Sequence, residues 1–133
     1  MTLFLLDTNI ASHIIRQDDH RILEFAYDLP AEDIAVSAVT KGELIFGLAK
    51  KQFHPSLVKM VREFLHTVTV LPWNSEVAET YGTFKVSCTT RGKILGELDM
   101  MIAAHAVSLG ATLVTRDKAF DRIGENLKVE DWI

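Results

Sequence analysis

Four short apolar runs, at residues 3–6 (LFLL), 34–36 (IAV), 68–71 (VTVL) and 112–115 (TLVT), are separated by longer stretches in which apolar residues recur every three to four positions. An apolar run without polar alternation is the mark of a strand covered on both faces, as in a parallel sheet. Parallel strands cannot be joined by a tight turn, and each intervening stretch is long enough for a crossover helix. The pattern therefore predicts an α/β chain: a three-layer sandwich with a central, mostly parallel sheet of four to five strands and helices on both faces. Leu127, Val129 and Trp132 alternate as a short last strand.

The helical stretches carry their own start and stop signals. Asp7-Thr8-Asn9 ends the first run and starts a helix through Ile10, Ile14 and Ile15, with Asn9 read as a turn former. A second helix over residues 21–28 stops near Pro30. After Ser37, the apolar residues Leu44, Ile45, Leu48 and Ala49 predict an amphipathic helix, and Pro55 suits the first turn of another that runs to about His66. A long helix over residues 75–90 ends at Arg91-Gly92-Lys93, residues 92–96 read as a loop, and Asp99 opens a helix that closes at Gly110.

With 133 residues, 48% of them hydrophobic, the chain suits one compact domain spanning residues 1–133. It shows no internal repeat and no Gly/Ser- or Pro-rich linker. The opening apolar run is cut off by Asp7 with no basic residue before it, so it is neither a secretory core nor a membrane span. The single cysteine, Cys88, excludes an intrachain disulfide and fits a reducing compartment, so the expected location is cytoplasmic.

Four carboxylates carry the chemistry. Asp7 follows the first strand and Asp117 the fourth. In open α/β sheets ligands bind outside the carboxyl ends of the strands, so both acids are delivered to one rim. Glu43 lies on the helix after the second strand and Asp99 heads the helix leading into the fourth. Each also has a plain structural reading: Asp7, Asp99 and Asp117 stand where an Asp caps a helix, and Thr40-Lys41-Gly42-Glu43 matches a capping box. A helix that begins at Ser37 places Glu43 well inside and dissolves the box. Four acids at one rim would also repel one another unless a cation sat between them.

Oxygen-only donors with no His/Cys cluster favour a hard dication, Mg²⁺ or Mn²⁺, over zinc. Such a site suits metal-assisted phosphodiester hydrolysis. The net charge of −4 argues against a broad basic footprint for nucleic acid. Setting the four acids aside leaves 14 acidic against 14 basic residues, which predicts local rather than extended phosphate binding.

Taken in order, Leu6-Asp7-Thr8-Asn9, Thr40-Lys41-Gly42-Glu43-Leu44 with Gly47, Asp99-Met100-Met101-Ile102-Ala103-Ala104-His105-Ala106 within residues 96–106, Leu113-Val114-Thr115-Arg116-Asp117 and Glu130-Asp131-Trp132 resemble a PIN-domain ribonuclease toxin of the VapC type. The resemblance covers essentially the whole chain. It implies a PIN-like sandwich and a Mg²⁺- or Mn²⁺-dependent endoribonuclease that cuts structured RNA, such as a transfer-RNA or ribosomal loop, to inhibit translation and growth. It also implies silencing by a cognate VapB-type antitoxin and a homodimer, with higher-order assembly on the antitoxin.

Carried onto this chain, Asp7, Glu43 and Asp99 match the three most regular acids of that family, and Asp117 matches a fourth, less uniform position. Thr8 and Thr115 match hydroxyls that orient a carboxylate or a metal-bound water. Glu97 and Asp121 are neighbouring acids that could replace Asp117. Arg91, Lys93, Arg116 and Lys118 flank the site as candidate RNA phosphate contacts. His105 reads as a packed or partly exposed helix residue, Trp73 and Trp132 as core anchors, and Phe46, Phe53, Met60 and Phe64 as either core or a partner-binding patch.

Two rival readings stand beside this one. One is a phosphotransfer enzyme with Asp7 as nucleophile, although such enzymes commonly carry a second Asp where this chain has Asn9. The other is an inactive binding module on the same fold.

Overall fold

In the computed structural model, which describes residues 2–124 and 126–132, the apolar runs form a single five-stranded sheet in which every pair is parallel. The strands are β1 (Phe4–Leu6), β2 (Ile34–Ser37), β3 (Thr69–Leu71), β4 (Thr112–Val114) and β5 (Lys128–Glu130). The helices are α1 (Thr8–Arg16), α2 (His20–Tyr27), α3 (Ala38–Lys50), α4 (Pro55–Thr67), α5 (Ser75–Thr90) and α6 (Glu97–Leu109), with short 3₁₀ turns at Ala31–Asp33 and Lys118–Arg122.

Side chains along each central strand alternate between two cores, as the two-residue period of a strand requires. Leu5, Ala35 and Leu113 face α5 and α6, packing with Phe84, Cys88, Met100 and Ile102. Leu6, Val36 and Val114 face α1 to α4, packing with Ile10, Ile22, Leu44 and Phe64. Both faces are thus covered and the three layers are as expected. The α6 stretch is apolar almost all round because the helix is buried from Ile102 to Ala106, and Gly110 ends it in the left-handed region at φ 63°.

The strand order is β3-β2-β1-β4-β5. From β1 the chain winds outward through β2 to β3, then returns to add β4 on the other side of β1. The point where winding reverses, between β1 and β4, is where such sheets open a crevice at their carboxyl ends. Backbone pairing continues one step past the strands there, with the Asp7 N–H donating to the Val114 carbonyl at 3.0 Å.

Several local expectations are corrected. Asn9 is not in a turn but is the second residue of α1, because Asp7 already ends the strand and caps the helix. Asp99 does not open its helix: α6 starts at Glu97 behind Gly96, so Asp99 is the third residue. The last strand is only Lys128–Glu130, and Trp132 lies beyond it, fully buried. Its indole stacks on Phe25, meets Phe4 edge-on, both at 5.8 Å between centroids, and donates to Glu130 Oε1 at 3.1 Å.

Trp132 therefore closes the α1–α4 core from the chain's far end. Truncation of a buried aromatic of this kind costs about 3–5 kcal/mol. Trp132→Ala should lower the stability read from a urea melt by that order, and a loss within about 0.5 kcal/mol would show that it packs only at the surface.

Candidate active site

Asp7 leaves β1 with extended backbone and caps α1. Its Oδ1 accepts from the Ile10 N–H at 2.8 Å and its Oδ2 from the Thr115 hydroxyl at 2.5 Å. Asp7 therefore caps the helix with one oxygen and meets β4's end, at Thr115, with the other. The residue is only 6% exposed. Thr115, one step past β4, is buried too, and its oxygen accepts from the Asp117 N–H at 3.1 Å, so the chain turns there to bring Asp117 to the same rim. Asp117 Oδ1 in turn accepts from the Ala119 N–H at 2.9 Å and caps the short 3₁₀ turn.

On the other side of β1, Ser37 caps α3 through its hydroxyl, which accepts from the Val39 N–H at 3.0 Å. The helix thus begins where the interior reading of Glu43 required, and the capping box does not form. Glu43 Oε1 instead accepts from the Thr8 hydroxyl at 2.5 Å, and Thr8 also lies 3.1 Å from the hydroxyl of buried Thr40. Thr8 and Thr115 each hold one of the predicted acids. Thr40 joins them, and its spacing three residues before Glu43 on one helix face is the sequence signal that could have singled it out.

The charges show that the acids share one field. Burial and the neighbouring carboxylates of Asp99 and Asp117 raise the Asp7 carboxyl above the usual range, against the pull of the Thr115 and Ile10 hydrogen bonds. Asp99 is raised by burial, then by Asp117 and Glu43. All four predicted acids are therefore linked through one electrostatic network. Among the described residues, no three His, Cys, Asp or Glu side chains form a closed ligand group, so the acids make an open rim rather than a tight cage.

The neighbouring acids go elsewhere. Glu97 is mostly exposed, accepts from Lys85 Nζ at 3.1 Å and from the Tyr81 hydroxyl at 3.2 Å, and so is drawn toward α5. Asp121 is exposed on the 3₁₀ turn. The flanking cations also separate. Arg116 Nη1 lies 3.2 Å from Asp19 Oδ2 and 3.2 Å from His13 Nε2, Lys118 Nζ lies 3.8 Å from Asp131, and Arg91 donates to the Ile123 carbonyl at 3.2 Å. Lys93 faces a small cavity beside the 3₁₀ turn.

Among the apolar candidates Phe64 enters the core, Met60 is half-buried, and Phe46 and Phe53 stay exposed. Phe46 lies on an apolar groove along α3 that reaches Thr8 and Glu43. His105 is buried, which decides between its packed and partly exposed readings. Its Nδ1 lies 2.8 Å from the Ser37 hydroxyl, and its ring meets Trp73, itself only half-buried, edge-on at 5.5 Å. This contact ties α6, which carries Asp99, to the cap of α3, which carries Glu43. Nothing in the sequence spacing joins residues 37 and 105.

Two consequences can be measured on the metal-free protein. Because Asp99 is raised in the fold, its ionised form costs stability at neutral pH, and the cost fades as pH falls through the raised value toward 3.8. In chelator at pH 7, Asp99→Asn should melt above the wild type, with the gap closing toward pH 4. An equal or lower melting temperature at pH 7 would remove the mutual repulsion. His105 has the opposite sign: burial lowers it below 6.5, so the unfolded chain takes its proton first and stability falls as pH drops below 6.5. The stability advantage of wild type over His105→Asn should shrink between pH 7 and pH 5, and a constant gap would mean that the imidazole does not titrate differently in the fold.

Comparison with known proteins agrees with this architecture. The PIN domain family model matches residues 4–126. Ribonuclease VapC2 from Haemophilus influenzae is 32% identical over the full length of both chains, and the tRNA(fMet)-specific endonuclease VapC of Shigella flexneri is 32% identical over 99% of each. Among solved structures, a chain of VapBC2 from Rickettsia felis bound to a DNA fragment from their promoter superposes with a TM-score of 0.91 at 28% identity, covering 99% of this chain and 100% of that one. DNA-bound VapBC from Salmonella typhimurium gives 0.91 at 30% over both full chains. With its ordered acids at the β1/β4 crevice and relatives matched end to end, this chain belongs to the PIN-domain family, within its VapC ribonucleases.

Proposed function

We propose that the protein is a Mg²⁺- or Mn²⁺-dependent endoribonuclease, the toxin of a toxin–antitoxin pair, which cuts a loop of transfer or ribosomal RNA in the cytoplasm and thereby stops translation. The observation that carries this reading is the buried Asp7 carboxylate, held by Thr115 and pressed by the charges of Asp99 and Asp117 at the sheet's switch point. The name of the Shigella relative favours a transfer RNA.

The donor set fits the cation. All four side chains offer oxygen, and a hard dication such as Mg²⁺ keeps several waters and needs only one or two direct carboxylates, which an open rim can supply. Asp7, Asp99 and Asp117 would hold it, with Glu43 acting directly or through water. Once bound, the ion would offset the mutual repulsion of the acids, neutralise charge on the phosphate and make a water more acidic. Thr115 holds Asp7 in its orientation and Thr8 holds Glu43, so both carboxylates are set before substrate arrives. As the family resemblance implies, hydrolysis would leave a 5′-phosphate and a 3′-hydroxyl. Single-stranded loops suit the site, because their bases can be splayed away from the backbone.

The phosphotransfer alternative is disfavoured by Asp7 itself. With both oxygens bonded and little exposure, it is poorly presented for in-line attack. The partner follows from the neighbours, whose crystals hold VapBC pairs. A VapB-type antitoxin segment laid along the apolar groove of α3 would cover Phe46 and close over Glu43. The active unit is proposed to be a homodimer, assembled further on the antitoxin. Among the described residues no helix is long and apolar enough to cross a membrane.

Millimolar Mn²⁺ should stabilise the protein by about 2.7 kcal/mol at a hundredfold excess over Kd, and Asp7→Asn should remove most of that gain. Total tRNA should be cleaved with Mg²⁺ or Mn²⁺ and left intact in chelator or by Asp7→Asn. Thr115→Val should weaken metal affinity by about 10–100-fold. Intact tRNA and rRNA at every metal concentration, alongside an unchanged melting curve, would overturn the reading.

A further inference from the structure

The basic residues around the rim are not equivalent once their partners are known. Arg116 is engaged by Asp19 and His13, Lys118 by Asp131, and Arg91 reaches back to the Ile123 carbonyl. On the β4 side of the rim, two cations remain without a side-chain hydrogen bond or ion pair to any described residue: Lys93, on the loop before α6, and Arg122, on the 3₁₀ turn after Asp117. They line the same cavity, of about 300 Å³, together with Ile94 and Ala119. Arg122 was not among the candidates read from the sequence.

The place of this cavity matters as much as its charge. Its wall at Ala119 is the residue whose N–H binds the Asp117 carboxylate, and its wall at Ile94 lies five residues before Asp99. It therefore adjoins the acid rim on the β4 side, away from the apolar groove beside Glu43. The backbone N–H groups of Gly92 and Lys93 are used internally, donating to the carbonyls of Thr89 and Cys88, so the side-chain cations are what this wall offers a ligand. The one carboxylate on the same turn within the described residues, Asp121, is exposed. A chain of net charge −4, with four acids at its rim, repels a polyanion there. Cations beside the acids, left unengaged by the described residues, are the local means of holding one.

The geometry points to a phosphate subsite: Lys93 and Arg122 bind a backbone phosphate of RNA that flanks the scissile bond, on the Asp117 side of the acids. This rests on the ribonuclease reading above, and it assigns the strand's path across the site. Lys93 supplies a mobile point charge and Arg122 a planar fork that can engage two phosphate oxygens. Neither touches the reacting atoms, so both act on binding rather than on the bond-breaking step.

The test uses the 133-residue chain with Lys93→Ala, Arg122→Ala, the double variant, Arg122→Lys, and Lys59→Ala on α4 as control. Binding is read in chelator with a fluorescein-labelled 12-nucleotide single-stranded RNA across a salt series. Removing one phosphate-binding cation should flatten the log–log salt slope by about 0.7. Cleavage of total tRNA under saturating Mn²⁺ should show KM raised about tenfold in the double variant with kcat within about twofold. Arg122→Lys should recover part of that binding, and Lys59→Ala should behave as the wild type. Melting curves check that the substitutions leave the fold intact. An unchanged salt slope and KM, or a fall in kcat with KM unmoved, would overturn the subsite. If the wild type binds the RNA but cleaves nothing, the ribonuclease reading fails while the slope still judges the subsite. If it neither binds nor cleaves, both fall.

Discussion

The parallel pairing of β1 with β4 is the contact on which the rest of this molecule depends. It joins segments more than a hundred residues apart, Phe4 to Thr112 and Leu6 to Val114, and it sets Asp7 beside Thr115 at the point where the sheet changes its winding direction. Every other site residue is placed relative to that pair. Glu43 arrives on α3 from the strand next to β1, and Asp99 arrives on α6, which runs back from the rim into β4.

The price of that placement is electrostatic. Folding buries Asp7 and brings other carboxylates to it, so its charged form is less comfortable in the fold than in the unfolded chain. The Thr115 hydroxyl and the Ile10 N–H at the start of α1 offset part of the cost without removing the charge. Acids held against their own repulsion are what the proposed metal-dependent chemistry rests on. The two buried cores on either face of the sheet supply the stability that lets this corner hold its repelling charges.

Helix capping made the acids hard to judge one at a time. An Asp after a strand caps the next helix with one oxygen, as Asp7 and Asp117 both do, and the second oxygen of Asp7 goes to the Thr115 hydroxyl. A cap at such a position does not by itself decide against a further role. Glu43 differs, because its helix begins at Ser37 and its partner is Thr8 across the interface between helices. The cations divide on the same principle. Arg116 and Lys118 sit nearest to Asp117 in sequence yet are engaged by Asp19 and Asp131, whereas Lys93 and Arg122, farther along the chain, meet at one cavity.

Much of this was legible in the sequence for physical reasons. Strands covered on both faces must be continuous apolar runs, crossover helices must show a 3.6-residue period, and an Asp at a strand's carboxyl end must reach the rim. These rules act over a few residues, so the helix over Ser75–Thr90, the start at Pro55 and the rim positions of Asp7 and Asp117 could be read directly. Strand order could not be read this way, because each strand carries the same apolar signal whichever neighbour it pairs with. The Thr8–Glu43 and Ser37–His105 contacts, the diversion of Glu97 to Lys85 and the partners of Arg116 likewise depend on which surfaces the packed helices bring together. Local chemistry alone determined the elements and the acids they carry. Only the tertiary structure decided which of those acids, hydroxyls and cations meet, because that is set by contacts between residues distant in the chain.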